Sequence, residues 1–249
     1  MTMNPTALNY RVAADAYEAG RPSYPTDIVA ALPLQTAHCV VDLGAGTGKF
    51  TRLLLPRLPA TARLVAVEPV AEMSARLANE ARVEVMTTRA DAIDLATGSV
   101  DLVTCAQAFH WFDNEPSVTE VARLLQSGGT LALVWNNRDD RTPWVEALSV
   151  MIERYAGDTP RQRSGRWRWI LQDPRFTLER ELEQDHPHRM RRQDVFERIV
   201  STSYVANLPD AEKAALREQC DDILREAGLG DADEVVFPYV TQLFVLRRI

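Results

Sequence analysis

The sequence predicts an α/β domain built round a parallel sheet, and three observations predict it. Between residues 40 and 135 short apolar runs alternate with stretches patterned for helices, which is how parallel strands joined by right-handed crossovers read. Apolar run, glycine loop and helix follow one another at VVDLGAGTGKF, Val40 to Phe50, the layout of a nucleotide-type site at the end of a strand. An acid, Glu68, closes the next apolar run, LVAVE.

Within the first of these runs, Val40 and Val41 read as the end of a buried strand. Gly44, Gly46 and Gly48 then leave only Ala45 and Thr47 between them. Without a Cβ the backbone can turn sharply and a ligand can come close. The helix that follows sets Phe50, Leu53, Leu54 and Leu58 on one apolar face. Glycines alone fit any tight turn; their spacing and the acids narrow the reading. A dinucleotide loop is spaced G-x-G-x-x-G, and its third glycine would fall at Lys49. Here the pattern is G-x-G-x-G with Asp42 before it. A pyrophosphate wants bare amide donors, and that acid would repel it. The loop suits a ligand with a positive group, an amine or a sulfonium. Glu68, about 20 residues on, can accept hydrogen bonds from ribose hydroxyls. A ribose with a cationic tail and no phosphate describes S-adenosylmethionine.

Length and composition allow one domain, 1–249, with an elaboration: 46% hydrophobic and 25% charged residues bury a large core and keep a polar surface. The formal net charge of -7 argues against a general nucleic-acid or anionic-membrane binder. No apolar stretch reaches the length of a membrane span, and the N-terminus has no apolar signal core. Cys39, Cys105 and Cys220 show neither a disulfide framework nor a zinc signature, so a reduced, cytoplasmic protein is the expectation.

A second informative stretch is VDLVTCAQAFHWFD, 100–113. A buried strand ends there in Gln107, Ala108, Phe109, His110, Trp111 and Phe112. Open parallel sheets bind ligands beyond the carboxyl ends of their strands, and this group of aromatics with a histidine is oddly placed as core alone. Together with the glycine loop, Asp42 and Glu68, the segment resembles the class I S-adenosylmethionine-dependent methyltransferases. Within them it is similar to the small-molecule branch that includes trans-aconitate methyltransferase and the type-11 methyltransferase domain. That branch typically carries A-x-H-W-F/H here and often the R-P-x-Y-P element seen at 21–25. The resemblance covers residues 10–135 well and the remainder loosely.

The resemblance implies a Rossmann-like, seven-stranded, mostly parallel sheet in the order 3-2-1-4-5-7-6, the last strand antiparallel, with helices on both faces. It implies S-adenosyl-L-methionine as cofactor and S-adenosyl-L-homocysteine as product. Asp42, Gly44, Ala45, Gly46, Thr47 and Gly48 would line the amino-acid end, and Glu68 the ribose. Asp91 would approach the adenine amino group, with Ala92 letting the base lie flat. Pro69, Met73, Gln107, Ala108 and Phe109 complete the expected cofactor set. Residues 1–35 read as an N-terminal arm in which Pro22 and Pro25 force an extended segment, followed by a helix over about 26–32. The arm either packs on the body or folds as a flap over the cofactor, with Tyr17 and Arg21 facing the methionine carboxylate.

Further along, Met73 and Leu77 mark a helix, Val83 to Met86 a short strand, Asn114 a helix cap, and Thr130 to Trp135 a fifth strand. Residues 136–176 interrupt the alternation and read as a helical cap insertion, with a helix from Trp144 to Tyr155. Its arginines 161, 163, 166 and 168 with Trp167 and Trp169 fit a solvated cap with two aromatics tucked under, better than nucleic-acid stacking on so acidic a chain; attraction of an anionic substrate is a third option. Phe176 to Met190, polar on both faces, reads as one edge strand. His186 and His188 flank Pro187 with no third ligand in view, so no metal is expected. Helices are expected at about 193–201 and 209–227. Val235 to Leu246 reads as a buried last strand in which Pro238 marks a bulge or a locally unpaired position.

Methyl transfer from a sulfonium is an in-line displacement, in which the protein mainly binds, aligns and excludes water. A base is needed only if the acceptor must lose a proton. His110 is the candidate base; the alternative is that it orders the loop or hydrogen-bonds the substrate. The acceptor is expected near His110 and Trp111, with Trp135, Arg138 and Tyr204 as further contacts. Asn136-Asn137-Arg138 does not match the N/D-P-P-Y/F segment of amino-directed nucleic-acid methyltransferases. The expected reaction is O-methylation of a small carboxylate or hydroxyl metabolite. A quinone precursor, natural product, RNA or protein acceptor is the alternative within the class, and a regulatory protein that binds cofactor without turnover is the alternative outside it. A monomer and a homodimer are both compatible with the sequence.

Overall fold

The computed structural model of the chain describes residues 21–249. Tyr17 and the rest of the N-terminal arm before Arg21 lie outside the described residues.

The main sheet holds β1 (Cys39–Leu43), β2 (Arg63–Val67), β3 (Val83–Met86), β4 (Val100–Ala106), β5 (Leu125–Arg138), β6 (Phe176–Asp185) and β9 (Tyr239–Arg248). Their spatial order is β3-β2-β1-β4-β5-β9-β6. Counted within this sheet β9 is the seventh strand, so the order is the expected one, with that strand antiparallel. The register from β3 through β5 is parallel, with Val41 beside both Val65 and Val103.

The apolar runs are nearly continuous because both faces of the sheet are covered. Val41 and Leu43 point into one core with Val103, Cys105, Leu133, Trp135 and Phe244. Val40 points into the other with Leu102, Val134, Leu243 and Phe50. β6 stands at the edge, and most of its side chains are exposed, as its charge predicts.

The helices are α1 (Thr26–Ala30), α2 (Thr51–Leu54), α3 (Ala71–Ser74), α4 (Glu115–Leu124), α5 (Pro143–Glu153), α6 (Asp194–Val200), α7 (Ser203–Ala206) and α8 (Asp210–Glu226). The Asn114 side chain caps α4 by accepting from the Ser117 amide at 3.1 Å. The helix after the glycine loop is shorter than expected. It tightens at Leu55–Arg57 into a 3-10 turn that contains Pro56, because proline has no N–H to continue the α-helical ladder.

Two expected strands are each broken in two. Phe176 to Met190 is not one edge strand: β6 stops at Asp185, and after Pro187 the chain forms β7 (His188–Arg191). Val235 to Leu246 is not one strand: β8 (Glu234–Phe237) stops before Pro238, which lies in neither strand, and β9 begins at Tyr239. β7 and β8 pair antiparallel with each other in a separate two-stranded sheet, His188 opposite Phe237. A proline cannot donate to a ladder, and here one sits at the point where each chain segment changes sheets.

The chain forms two compact units. One comprises Ser23–Trp135, Pro160–Gln184 and Thr241–Ile249, and holds the main sheet. Among the described residues the smaller comprises Arg21, Pro22, Asn136–Thr159 and Asp185–Val240. Its core packs Val145, Leu148 and Ile152 of α5 with Val195 and Ile199 of α6, Leu216 and Leu224 of α8, and Phe237 and Tyr239. The expected insertion, 136–176, is therefore divided: residues 136–159 group with the smaller unit and 160–176 with the sheet. In the latter part Trp167 is fully buried, and the Trp169 indole donates to the Asp113 carbonyl at 3.2 Å, so both tryptophans are indeed tucked in.

Candidate active site

The glycine loop is tied to the sheet through its backbone. The amides of Gly44 and Ala45 both donate to the Val67 carbonyl at the end of β2, at 2.8 and 3.1 Å. Two of the three glycines are required by packing. A Cβ on Gly44 would stand 2.4 Å from the Ala108 Cβ, and one on Gly48 would stand 2.1 Å from Leu77 Cδ2. At Gly46 a Cβ would meet only the end of Met73, 3.3 Å away, so here the bare backbone leaves room for something else to approach. All three have positive φ.

Asp42 sits behind this loop, 1% exposed. Its carboxylate accepts from Thr51 Oγ1 at 2.6 Å and from Thr104 Oγ1 at 2.8 Å, which clasps the first turn of α2 to β4 across the loop. Burial pushes its pKa up to about 6, against the opposing pull of the two hydroxyls. Glu68, also buried, reaches back to the loop: its two oxygens accept from the amides of Gly46 and Val70, each at 2.9 Å. Burial raises this carboxyl too, and those amide bonds partly offset the rise.

β4 delivers the opposite wall. Gln107, at its carboxyl end, has φ 58, a left-handed conformation that costs a non-glycine residue about 1–3 kcal/mol and gathers at functional sites. Its amide donates to the Val134 carbonyl at 2.8 Å. The turn throws Phe109 into the core and sets His110 and Trp111 on a 3-10 turn. Trp135, on β5, is wholly buried against Trp167, ring centroids 4.2 Å apart, and its indole N–H donates to His110 Nδ1 at 3.3 Å.

The structure thus brings Asp42, the loop residues 44–48, Glu68, Met73 and Ala108 together, with His110, on the turn after β4, joined to Trp135 of β5. Asp91 is held by Arg89, whose charge and hydrogen bonds keep its carboxyl below the usual value, and Ala92 next to it is exposed. Pro69 is half-buried, following Glu68. Arg21, Arg138 and Tyr204 belong to the smaller unit. There Arg21 donates to the Ser201 carbonyl and Arg138 to Ser149 Oγ. Sequence reasoning missed Thr51 and Thr104 as the partners of Asp42, and Trp135 as the partner of His110. A threonine inside an otherwise apolar buried strand was the available signal for Thr104. Among the described residues no three potential ligands converge as for a metal ion, and no helix is long and apolar enough to cross a membrane.

Comparison with known proteins bears on the family and the fold. Residues 41–133 match the family model described as a methyltransferase domain. The chain is 37% identical to an uncharacterized methyltransferase of Mycobacterium tuberculosis over 94% of its own length and 93% of that protein's. It is 39% identical to the trans-aconitate 2-methyltransferase of an Azoarcus species over 43% of this chain and 42% of the other. In fold it is similar to the geranyl diphosphate C-methyltransferase of Streptomyces coelicolor, solved with S-adenosyl-L-homocysteine. That likeness has a TM-score of 0.52 and 16% identity, covering 90% of this chain and 78% of that one. The chain belongs to the methyltransferases, and its fold is that of the class I enzymes.

Proposed function

We propose that this enzyme methylates a carboxylate oxygen of a small acidic acceptor. One relative is named for trans-aconitate, a carboxylate, but the observation that carries the reading is internal: the Trp135 indole donates to His110 Nδ1. An indole N–H only donates, so Nδ1 is an acceptor and the neutral ring carries its proton on Nε2. A ring in that tautomer is a donor at Nε2 and cannot take a proton there. It suits an acceptor that is already ionised and needs no base. A phenol or alcohol would require His110 to give up its bond to Trp135 and change tautomer.

The residues present fit the cofactor. Gly46 leaves the loop backbone open, and the Glu68 carboxylate beside it has lone pairs left to accept ribose hydroxyls. The Asp42 charge behind the loop favours a cationic ligand over a phosphate. S-adenosylmethionine, when bound, supplies an electrophilic methyl group on sulfonium. The chain's own work is then to hold the ribose through Glu68, to keep the loop closed on β2, and to orient the acceptor through His110 while excluding water.

Two measurements test this. Calorimetry should show S-adenosylmethionine and S-adenosylhomocysteine binding, and NAD not binding. His110→Gln, which keeps a donor, should lower the rate of methyl transfer to an acid less than about tenfold, one 1.4 kcal/mol step, and leave the shape of the pH–rate profile intact. Disappearance of a limb from that profile would make His110 a base and the acceptor a hydroxyl.

A further inference from the structure

Asp42 and Glu68 are both buried, and they stand at the ends of neighbouring strands of one sheet. Asp42 of β1 lies beside Ala66 of β2, and Glu68 follows two positions on, just past the end of β2. The glycine loop joins them. Gly44 and Ala45 donate to the Val67 carbonyl, and Gly46 donates to Glu68 itself. The donors that reach the two carboxylates are neutral. Asp42 has the hydroxyls of Thr51 and Thr104, with the Thr51 amide adding to them, and Glu68 has the amides of Gly46 and Val70. Among the described residues neither acid forms an ion pair. Their hydrogen bonds are made, and their charge is not neutralised.

The elements packed round them supply no counter-charge. Lys49 is the cation in the loop and Arg52 the one on α2. Arg52 is engaged by Glu80 and by the Thr47 carbonyl, and no ion pair joins it or Lys49 to either acid among the described residues. Arg63, at the far end of β2, pairs with Glu84 of β3. On β4, Asp101 is spent on the amides of His38 and Cys39, and Cys105 is a buried thiol, its pKa raised by burial first and then by the Asp42 charge. His110, on the turn after β4, is bonded to Trp135. Glu72 on α3 and Arg76 after it are exposed. Burial without a counter-ion disfavours the ionised form of a carboxyl, and a second carboxylate nearby adds to that. Burial raises both carboxyls here, and the Asp42 charge adds to the rise at Glu68. Two acids so placed titrate as a pair.

We propose that Asp42 and Glu68 together sense the charge of the ligand: a proton held by the pair in the free protein passes to the solvent when a cationic cofactor binds at the loop. This rests on the S-adenosylmethionine reading for the ligand, and on the two buried carboxylates for the proton. The sulfonium and amino charges of the cofactor would supply the counter-ion that the fold does not. The link is reciprocal: a ligand that expels a proton is opposed by protons. Affinity is therefore full above about pH 6 and falls as pH drops through that value, where the ligand must displace the proton. Methyl transfer removes the sulfonium charge, so the same pair favours the charged cofactor over its spent product.

The test is calorimetry on the full-length protein near pH 6, in phosphate, MES and bis-Tris, which differ in ionisation enthalpy. The slope of binding heat against that enthalpy counts the protons released. The ligands are S-adenosylmethionine, S-adenosylhomocysteine, which lacks the sulfonium charge, and methylthioadenosine, which lacks the amino group as well. S-adenosylmethionine should release about half a proton more than methylthioadenosine, and its affinity should fall about threefold per pH unit below 6. S-adenosylhomocysteine should lie between them; a release equal to that of S-adenosylmethionine would sustain the sensor and place the sensed charge on the amino group. Asp42→Asn should remove most of the difference between the charged and uncharged ligands. Should that variant fail to fold, carboxyl carbon NMR on the wild-type protein serves: the Asp42 titration midpoint should lie above the ordinary aspartate value in the free protein and fall when S-adenosylmethionine binds. The proposal is overturned if the three ligands release the same number of protons, if folded Asp42→Asn keeps the wild-type difference, or if Asp42 titrates as an ordinary aspartate in the free protein. Binding without differential release would sink the sensor and leave the cofactor reading standing; absence of binding by all three would sink the cofactor reading, and the sensor with it.

Discussion

The sheet unit and the smaller unit each bury charge, of opposite sign and in opposite ways. In the sheet unit the buried charges are acids, and the protein satisfies them itself. Asp42 takes the hydroxyls of Thr51 and Thr104, and Glu68 the amides of Gly46 and Val70. In the smaller unit the buried charge is the Arg198 guanidinium, held by neutral groups beside two more arginines. The difference teaches what each centre is for. The acids brace the loop whether or not a ligand is there, so their loss should register in stability as well as in binding. Arg198 is held by the hydroxyls of Tyr239 and Ser201 within its own unit, so its loss should register in the stability of that unit and leave the glycine loop untouched.

The sharpest way to probe the acidic side is through the glycines it braces. Gly48→Ala drives a Cβ into Leu77 at positive φ, and should cost about 2–4 kcal/mol of stability from overpacking and strain together. Gly46→Ala has space against Met73, and should cost about 1–2 kcal/mol for its left-handed φ while weakening S-adenosylmethionine binding more than Gly48→Ala does in whatever fraction remains folded. Urea unfolding and calorimetry on both variants check this; equal losses of stability would mean the two glycines do the same job.

A smaller effect belongs to Asp42. Its folded pKa of about 6 lies above the ordinary aspartate value of 3.8. Between those values the folded protein keeps a proton that the unfolded chain has released. The contribution is therefore fully present below about pH 4 and is lost as pH rises through about 6, with an upper bound of roughly 3 kcal/mol. Asp42→Asn should flatten stability over that window. An unchanged slope in the variant would assign the pH dependence to other groups. Smaller again is Glu68→Ala, expected to weaken S-adenosylmethionine at least about tenfold, or 1.4 kcal/mol. Unchanged calorimetric affinity in a folded variant would remove the ribose from Glu68.

Legibility in the sequence followed distance along the chain. The strand alternation, the glycine loop, the polar edge strand and the Asn114 cap are local patterns, and each could be read from a few neighbouring residues. What Asp42 touches could not, because Thr104 is 62 positions away. The same holds for Trp135 on β5 and His110 on the turn after β4, 25 positions apart. Pro187 and Pro238 were visible as interruptions, but that each marks a change of sheet depends on β7 and β8 finding each other. Arg198 was hidden for another reason: it stands in a helix between Val195, Phe196 and Ile199, and an arginine in such a pattern reads as the solvent face unless the packing is known.

One measurement bears most directly on the claim that a cationic donor meets an anionic acceptor in this enzyme. S-adenosylhomocysteine formation would be followed with purified protein, S-adenosylmethionine and a panel of small di- and tricarboxylic acids, their neutral esters, phenols, amines and RNA. The expected result is turnover of one or more free acids to a base-labile methyl ester, with neutral esters of the same acids inert. Methylation of phenols, amines or RNA while every acid stays unchanged would contradict it.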